Sequence, residues 1–153
     1  MKKIRREMLF YHIKIVLLGA ALSLLWGGAV HLLHLDRIFP DRSRDLFDIP
    51  LTAQTAFYCV LSPVLEECVF RGLLFSLLRK VLPWKTSACM ASAAFALWHG
   101  NMLQILFAFP MGLLFQYLLK RDRTLLSPIC CHAGANLAAV AAAALAPLAG
   151  AFP

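Results

Sequence analysis

The chain has 153 residues, 61% of them hydrophobic, a net charge of +7 and a mean hydropathy of +0.72. That length suits one domain, and the composition is far too apolar for a soluble fold of this size, so it points to a polytopic membrane protein. The basic residues fall in short clusters between apolar runs and form no continuous stripe, which argues against nucleic acid as a partner.

A helix needs about 20 apolar residues to cross a bilayer core, and such runs lie at residues 15–35, 51–78, 86–99, 102–119 and 125–150. The expected fold is all-α, a membrane bundle of about five transmembrane helices forming a single domain over residues 1–153. Residues 1–50 supply an N-terminal anchor helix and an outer loop, and residues 51–150 the motif-bearing core. The first run follows Lys2, Lys3, Arg5 and Arg6, and its length and lack of an A-x-A site favour a retained anchor over a cleaved signal. Pro63, Pro110 and Pro147 fall in the second, fourth and fifth runs, where each is expected to kink its helix or mark a break packed against protein. Arg79, Lys80 and Lys85 follow the second run, and Lys120, Arg121 and Arg123 the fourth. Five crossings bring these clusters to the side of the basic N-terminus, which the positive-inside rule makes cytoplasmic. The loop from Asp36 to Asp48 and the uncharged Gly100-Asn101 turn then lie outside. Cys59, Cys68, Cys89, Cys130 and Cys131 show no zinc-finger spacing and read as small packing residues.

Within these runs, Glu66 and Glu67 are adjacent carboxylates in Ser62-Pro63-Val64-Leu65-Glu66-Glu67-Cys68-Val69-Phe70-Arg71-Gly72. Each charge near a bilayer centre costs at least about 2.5 kcal/mol, so a pair calls for a functional reason. Counting about 1.5 Å per helical residue from the basic clusters puts the glutamates roughly 18–20 Å deep, His99 about 21 Å, His132 about 14 Å and Asn136 about 20 Å. Three separate runs thus deliver two carboxylates, two imidazoles and an amide to one layer.

Spacing divides the labour among them. Glu67 and Arg71 are i, i+4 and can form an internal ion pair, whereas Glu66 points about 100° away and is the freer carboxylate. Phe95 and His99 share a helix face, which sets the ring beside the imidazole, although a histidine capping its helix end has the same pattern. His132 and Asn136 are also i, i+4, so the amide can hold the imidazole's tautomer or aim with it at one substrate oxygen. Gln54, Gln104 and Gln116 read as helix bridges, and Gly72, Gly112 and Gly134 as points of close approach. A buried carboxylate can activate water while histidine and asparagine donors hold the oxyanion formed from a peptide carbonyl. No G-x-S-x-G is present, and Ser62 and Ser127, each next to a proline, read as helix-start residues. Zinc held by Glu66, His99 and His132 is the alternative, without the HExxH spacing.

In order, Glu66-Glu67-x-x-x-Arg71, Phe95-x-x-x-His99 and His132-x-x-x-Asn136 resemble the motifs of the CPBP glutamic-type intramembrane proteases, which include prenyl-protein CAAX endopeptidases, abortive-infection proteins and bacteriocin-processing or immunity proteins. The resemblance runs from about Thr52 to Val140 and implies a helical membrane core. It further implies Glu66 as the water-activating base, Glu67 as second acid or Arg71 partner, His99 and His132 as catalytic imidazoles, and Asn136 as oxyanion or orienting group. Arg71 and Phe95 are supporting residues. It leaves metal dependence open. Many relatives have more helices, which favours a small dedicated substrate here. The expected activity is hydrolysis of a peptide bond in a membrane-associated protein or peptide, such as a C-terminal tail, a leader or a sorting anchor. The expected location is a bacterial cytoplasmic membrane, with lipid and that substrate as partners. A non-catalytic immunity or peptide-binding relative, and a small transporter or proton relay, are the competing readings.

Overall fold

The core of the chain turns its polar side chains inward and its apolar ones outward. Glu67, Ser87, Ser92 and Ser127 are all 0% exposed, whereas Leu25 is 70% and Val81 80% exposed. Such an outer surface suits hydrocarbon and not water. The computed structural model describes residues 2–39 and 50–145, and among these every regular element is helical. Most of the acidic loop, residues 40–49, and Pro147 lie outside the described residues.

The chain forms α1 (Lys2–Leu32), a single turn α2 (Leu35–Ile38), a composite rod α3 over residues 51–78, α4 (Trp84–Trp98), α5 (Met102–Asp122) and α6 (Leu126–Leu145). The first helix starts well before its apolar run, because Lys and Arg are good helix formers and a helix need not stop at the lipid boundary. Three segments are long and apolar enough to cross a membrane by themselves: Arg5–Leu32, Met102–Asp122 and Leu126–Leu145. With its 15 residues, α4 reaches only about 22 Å, short of a core of about 30 Å.

Two π turns, Phe57–Leu61 and Cys68–Leu74, interrupt the rod on either side of the α segment Ser62–Glu67. Pro63 accounts for the first. Its ring would clash with the carbonyl four residues back, and the backbone relaxes by widening the preceding turn, with Ser62 N–H donating to Phe57 O. Pro110, by contrast, sits inside an unbroken α5. Asn101 was read only as part of the turn; it is the N-cap of α5, its Oδ1 accepting from Leu103 N–H at 2.9 Å.

The first and last helices form the closest pair. A Cβ placed on Gly19 would lie 1.8 Å from Cys131 O, and one on Gly134 2.0 Å from Val16 O, so the α1 and α6 backbones touch at a point only glycine allows. Two further contacts fix α1 to α5: Tyr11 Oη donates to Asp122 Oδ2 at 2.5 Å, and Trp26 stacks on Phe107 with centroids 5.9 Å apart. At Gly112 a Cβ would meet Ser92 Cβ at 2.9 Å and Arg71 Nη2 at 3.0 Å, which brings α3, α4 and α5 together. Gly72 has no such contact nearer than 3.7 Å, contrary to the close approach expected of it. Nor does Gln116 bridge helices: it is 1% exposed, and neither of its amide atoms has a hydrogen-bond partner. Cys59 and Cys131 are buried packing residues, while Cys68 and Cys89 face outward.

Candidate active site

The segment Ser62–Glu67 carries both glutamates, and because adjacent helical residues diverge by about 100° they meet different neighbours. Glu67 is wholly buried and forms the expected ion pair, with Arg71 Nε 3.2 Å from its Oε2 and both side chains 0% exposed. The guanidinium lies over Phe95, 4.2 Å from the ring centroid, and beside Phe115 at 5.0 Å. Aromatic faces, one carboxylate and full burial suit a planar, weakly hydrated cation.

Glu67 also reaches α6. Its Oε1 lies 3.0 Å from His132 Nδ1. An ionised carboxylate only accepts, so Nδ1 carries the hydrogen, and the tautomer is assigned from that bond. The imidazole is stacked on Phe115 (5.2 Å, 21°) and edge-on to Phe95 (5.5 Å), which fixes its plane. His132 Nε2 is thereby aimed at Glu66, 3.8 Å from Oε2. Glu66 Oε1 accepts a hydrogen bond from the Ser62 hydroxyl, and Oε2 is buried without a hydrogen-bond partner. Ser62 therefore lies inside the helix as a partner of Glu66, and does not start a helix as its proline neighbour suggested. Its i, i+4 spacing to Glu66 was the available signal.

Asn136 differs from expectation. Its amide does not orient His132, a task that falls to Glu67. Instead, Asn136 Nδ2 donates to Tyr58 O at 2.7 Å. In the π register the N–H due to reach Tyr58 O is that of the next residue after Ser62, namely Pro63, which has none. Asn136 supplies the donor and ties α6 to the rod next to the glutamates.

His99 ends α4 and bonds its own helix, Nδ1 donating to Phe95 O at 2.9 Å. Its ring stands edge-on to Phe95 at 5.0 Å, the predicted pairing. His99, Asn136 and His132 line one small recess of about 40 Å³ together with Phe95 and Phe115. Phe95 thus touches Arg71, His99 and His132 at once, and Phe115, which no motif marked, forms the second wall. Among the described residues, no three of the His, Cys, Asp and Glu side chains are grouped to hold a metal ion. Glu66, His99 and His132, the alternative zinc set, are not so grouped.

Chemically, the arrangement offers a largely buried acceptor at Glu66, a rigidly oriented imidazole facing it, and a second imidazole lining the recess. A family model described as type II CAAX prenyl endopeptidase, Rce1-like, matches residues 48–138, more than half of the chain. Comparisons with curated proteins and with solved structures gave no match.

Proposed function

Because the chain belongs to the Rce1-like type II CAAX prenyl endopeptidase family, we propose that it is an intramembrane endopeptidase that hydrolyses a peptide bond of a membrane-associated protein or peptide with water activated by Glu66. The observation that supports this most directly is the buried, unpartnered Glu66 Oε2 facing His132 Nε2 across 3.8 Å. That gap is too long for a direct hydrogen bond.

In this reading, water donates one proton to Glu66 and its oxygen adds to the substrate carbonyl. Ser62 holds Glu66 in place by its hydroxyl bond. Glu67 and Arg71 do not meet the substrate; they keep His132 in one tautomer and one plane, so that no reorganisation is needed as charge develops. His99, with its Nδ1–H committed to a carbonyl, turns the Nε2 lone pair toward the recess as an acceptor for the attacking water, and the proton taken up by Glu66 passes to the leaving amine. Asn136 acts as a positioning residue through Tyr58 O. The topology that accompanies this reading is five crossings with the N-terminus in the cytoplasm, in a bacterial cytoplasmic membrane. The rod α3 and the short α4 provide the second and third crossings, partly shielded from lipid by their neighbours.

The test is cleavage of tail and leader peptides by the purified protein in liposomes, with Glu66→Gln, His132→Ala and His99→Ala compared at matched folding. Full activity in both Glu66→Gln and His132→Ala would sink the mechanism. Activity is expected to survive a chelator; loss restored by added zinc would instead make Glu66, His99 and His132 ligands.

A further inference from the structure

The recess at the imidazoles opens into a much larger space. Between the C-terminal half of α1, the first turns of α5 and the C-terminal half of α6 lies a cavity of about 510 Å³, within the range of roughly 300–1,000 Å³ typical of ligand sites. His99, Phe107, Ala108, Ala135 and Asn136 line both spaces, so the cavity adjoins the recess that His132 lines.

Its walls are chemically specific. On α1, Gly27 and Gly28 line the space, and a Cβ on either would meet no atom within 4 Å, so the helix backbone is bare there. Across from it, α6 presents Ala138, Ala139, Ala142 and Ala143. The same two helices touch at Gly19 and Gly134 and leave this space beyond the contact. Two smooth, small-residue helix faces across a membrane-depth opening match a third helix, whose backbone can approach closely. A pure hydrocarbon chain fits less well. His99, Gln104 and Asn136 also line the cavity, and a peptide, whose backbone must be unwound at the scissile bond, offers their outward polar atoms carbonyl and N–H groups that a hydrocarbon chain lacks.

We propose that this cavity is the recognition subsite of the enzyme, that it takes an apolar helical segment of a membrane-embedded protein, and that Gly27 and Gly28 set the largest side chain it admits. The proposal rests on the protease reading of the adjoining site and adds what that site selects. The selecting wall belongs to α1, which lies outside the matched residues 48–138, so substrate choice is set by a part of the chain separate from the reaction chemistry.

The experiment uses full-length Glu66→Gln protein in liposomes, which binds without turnover, and a lysine-flanked Leu/Ala single-span peptide carrying one photoactivatable leucine. Cross-links are expected within residues 23–30 and 135–143. Gly28→Leu, which fills open space, should lower that labelling by roughly tenfold or more with an unchanged unfolding temperature. Ala139→Leu, from the opposite wall, gives the same expected loss if Gly28→Leu does not fold. Labelling confined to other helix faces, or insensitive to both substitutions, overturns the subsite even if wild-type protein cleaves peptides. Equal or better displacement of the label by a farnesylated tetrapeptide overturns the choice of a helix. Labelling of the cavity with no peptide cleaved by wild-type protein supports the subsite and counts against the protease reading alone.

Discussion

The two sides of His132 are built differently. On one side, Glu67, Arg71 and the Phe115 ring are sealed, with exposures of 0%, 1% and 1%, and each polar group has an opposite charge or an aromatic face against it. On the other, Glu66, His99 and Asn136 are only partly buried, and His99 and Asn136 border open space. Burial without water makes the first side stiff, because any rotation would leave a charge unpaired in low dielectric. The second side keeps Glu66 Oε2 without a partner inside the protein, beside small apolar walls. Orientation and recognition are thus assigned to opposite faces of one imidazole, and changes on the two faces should fail in different ways.

The largest expected effect is on the open side. Glu66→Gln should lower peptide cleavage by about 10²–10⁴-fold, the usual contribution of a general base, while leaving thermal unfolding nearly unchanged; a stability loss of the same rank would erase the contrast. On the sealed side, Arg71→Met leaves Glu67 buried and unpaired and should cost about 3–5 kcal/mol of stability, read by unfolding in detergent. If the variant unfolds like wild type, Glu67 is not held as an ion in the protein. Asn136→Ala removes the donor to Tyr58 O and should cost about 0.6–2 kcal/mol, with kcat falling more than KM rises, as expected for a group that acts through the rod's position. The smallest effect belongs to Ser62→Ala, which frees Glu66 to rotate and should lower kcat by roughly tenfold or less, the equivalent of one hydrogen bond of about 1 kcal/mol. A loss as large as that of Glu66→Gln would move Ser62 from support into the chemistry.

Much of this was legible in the residues. The i, i+4 spacing of Glu67 and Arg71 survives because it depends only on local helix geometry, and the Phe95–His99 contact survives for the same reason. Depth counting brought α3, α4 and α6 to a common layer. It could not say which side chains meet there, since the Glu67–His132 contact joins residues 65 apart in the chain. The bond from Asn136 to Tyr58 O was not legible, because an α register pairs Pro63 with Cys59 O and only the π turn moves the missing donor to Tyr58 O, where Asn136 Nδ2 donates. Phe115 carried no signal at all, because an aromatic in an apolar helix looks alike whether it faces lipid or the interior, and the amide of Gln116 signalled a bridge that does not form. The extent of α1 was misjudged because the period of the apolar run marks the bilayer and not the helix.

A π turn holds one more residue than the α turn it replaces, so the pair Glu66-Glu67 stands between two surplus residues in the rod. Losing one residue between Phe57 and Leu61 would let that turn close to α geometry and swing the rod before it by about 100° relative to the glutamates. The Asn136 bond would go with it, although no side chain named in the mechanism had changed. In this stretch the count of residues matters as much as their identity, and a comparison that tolerates gaps here would match the letters and lose the geometry.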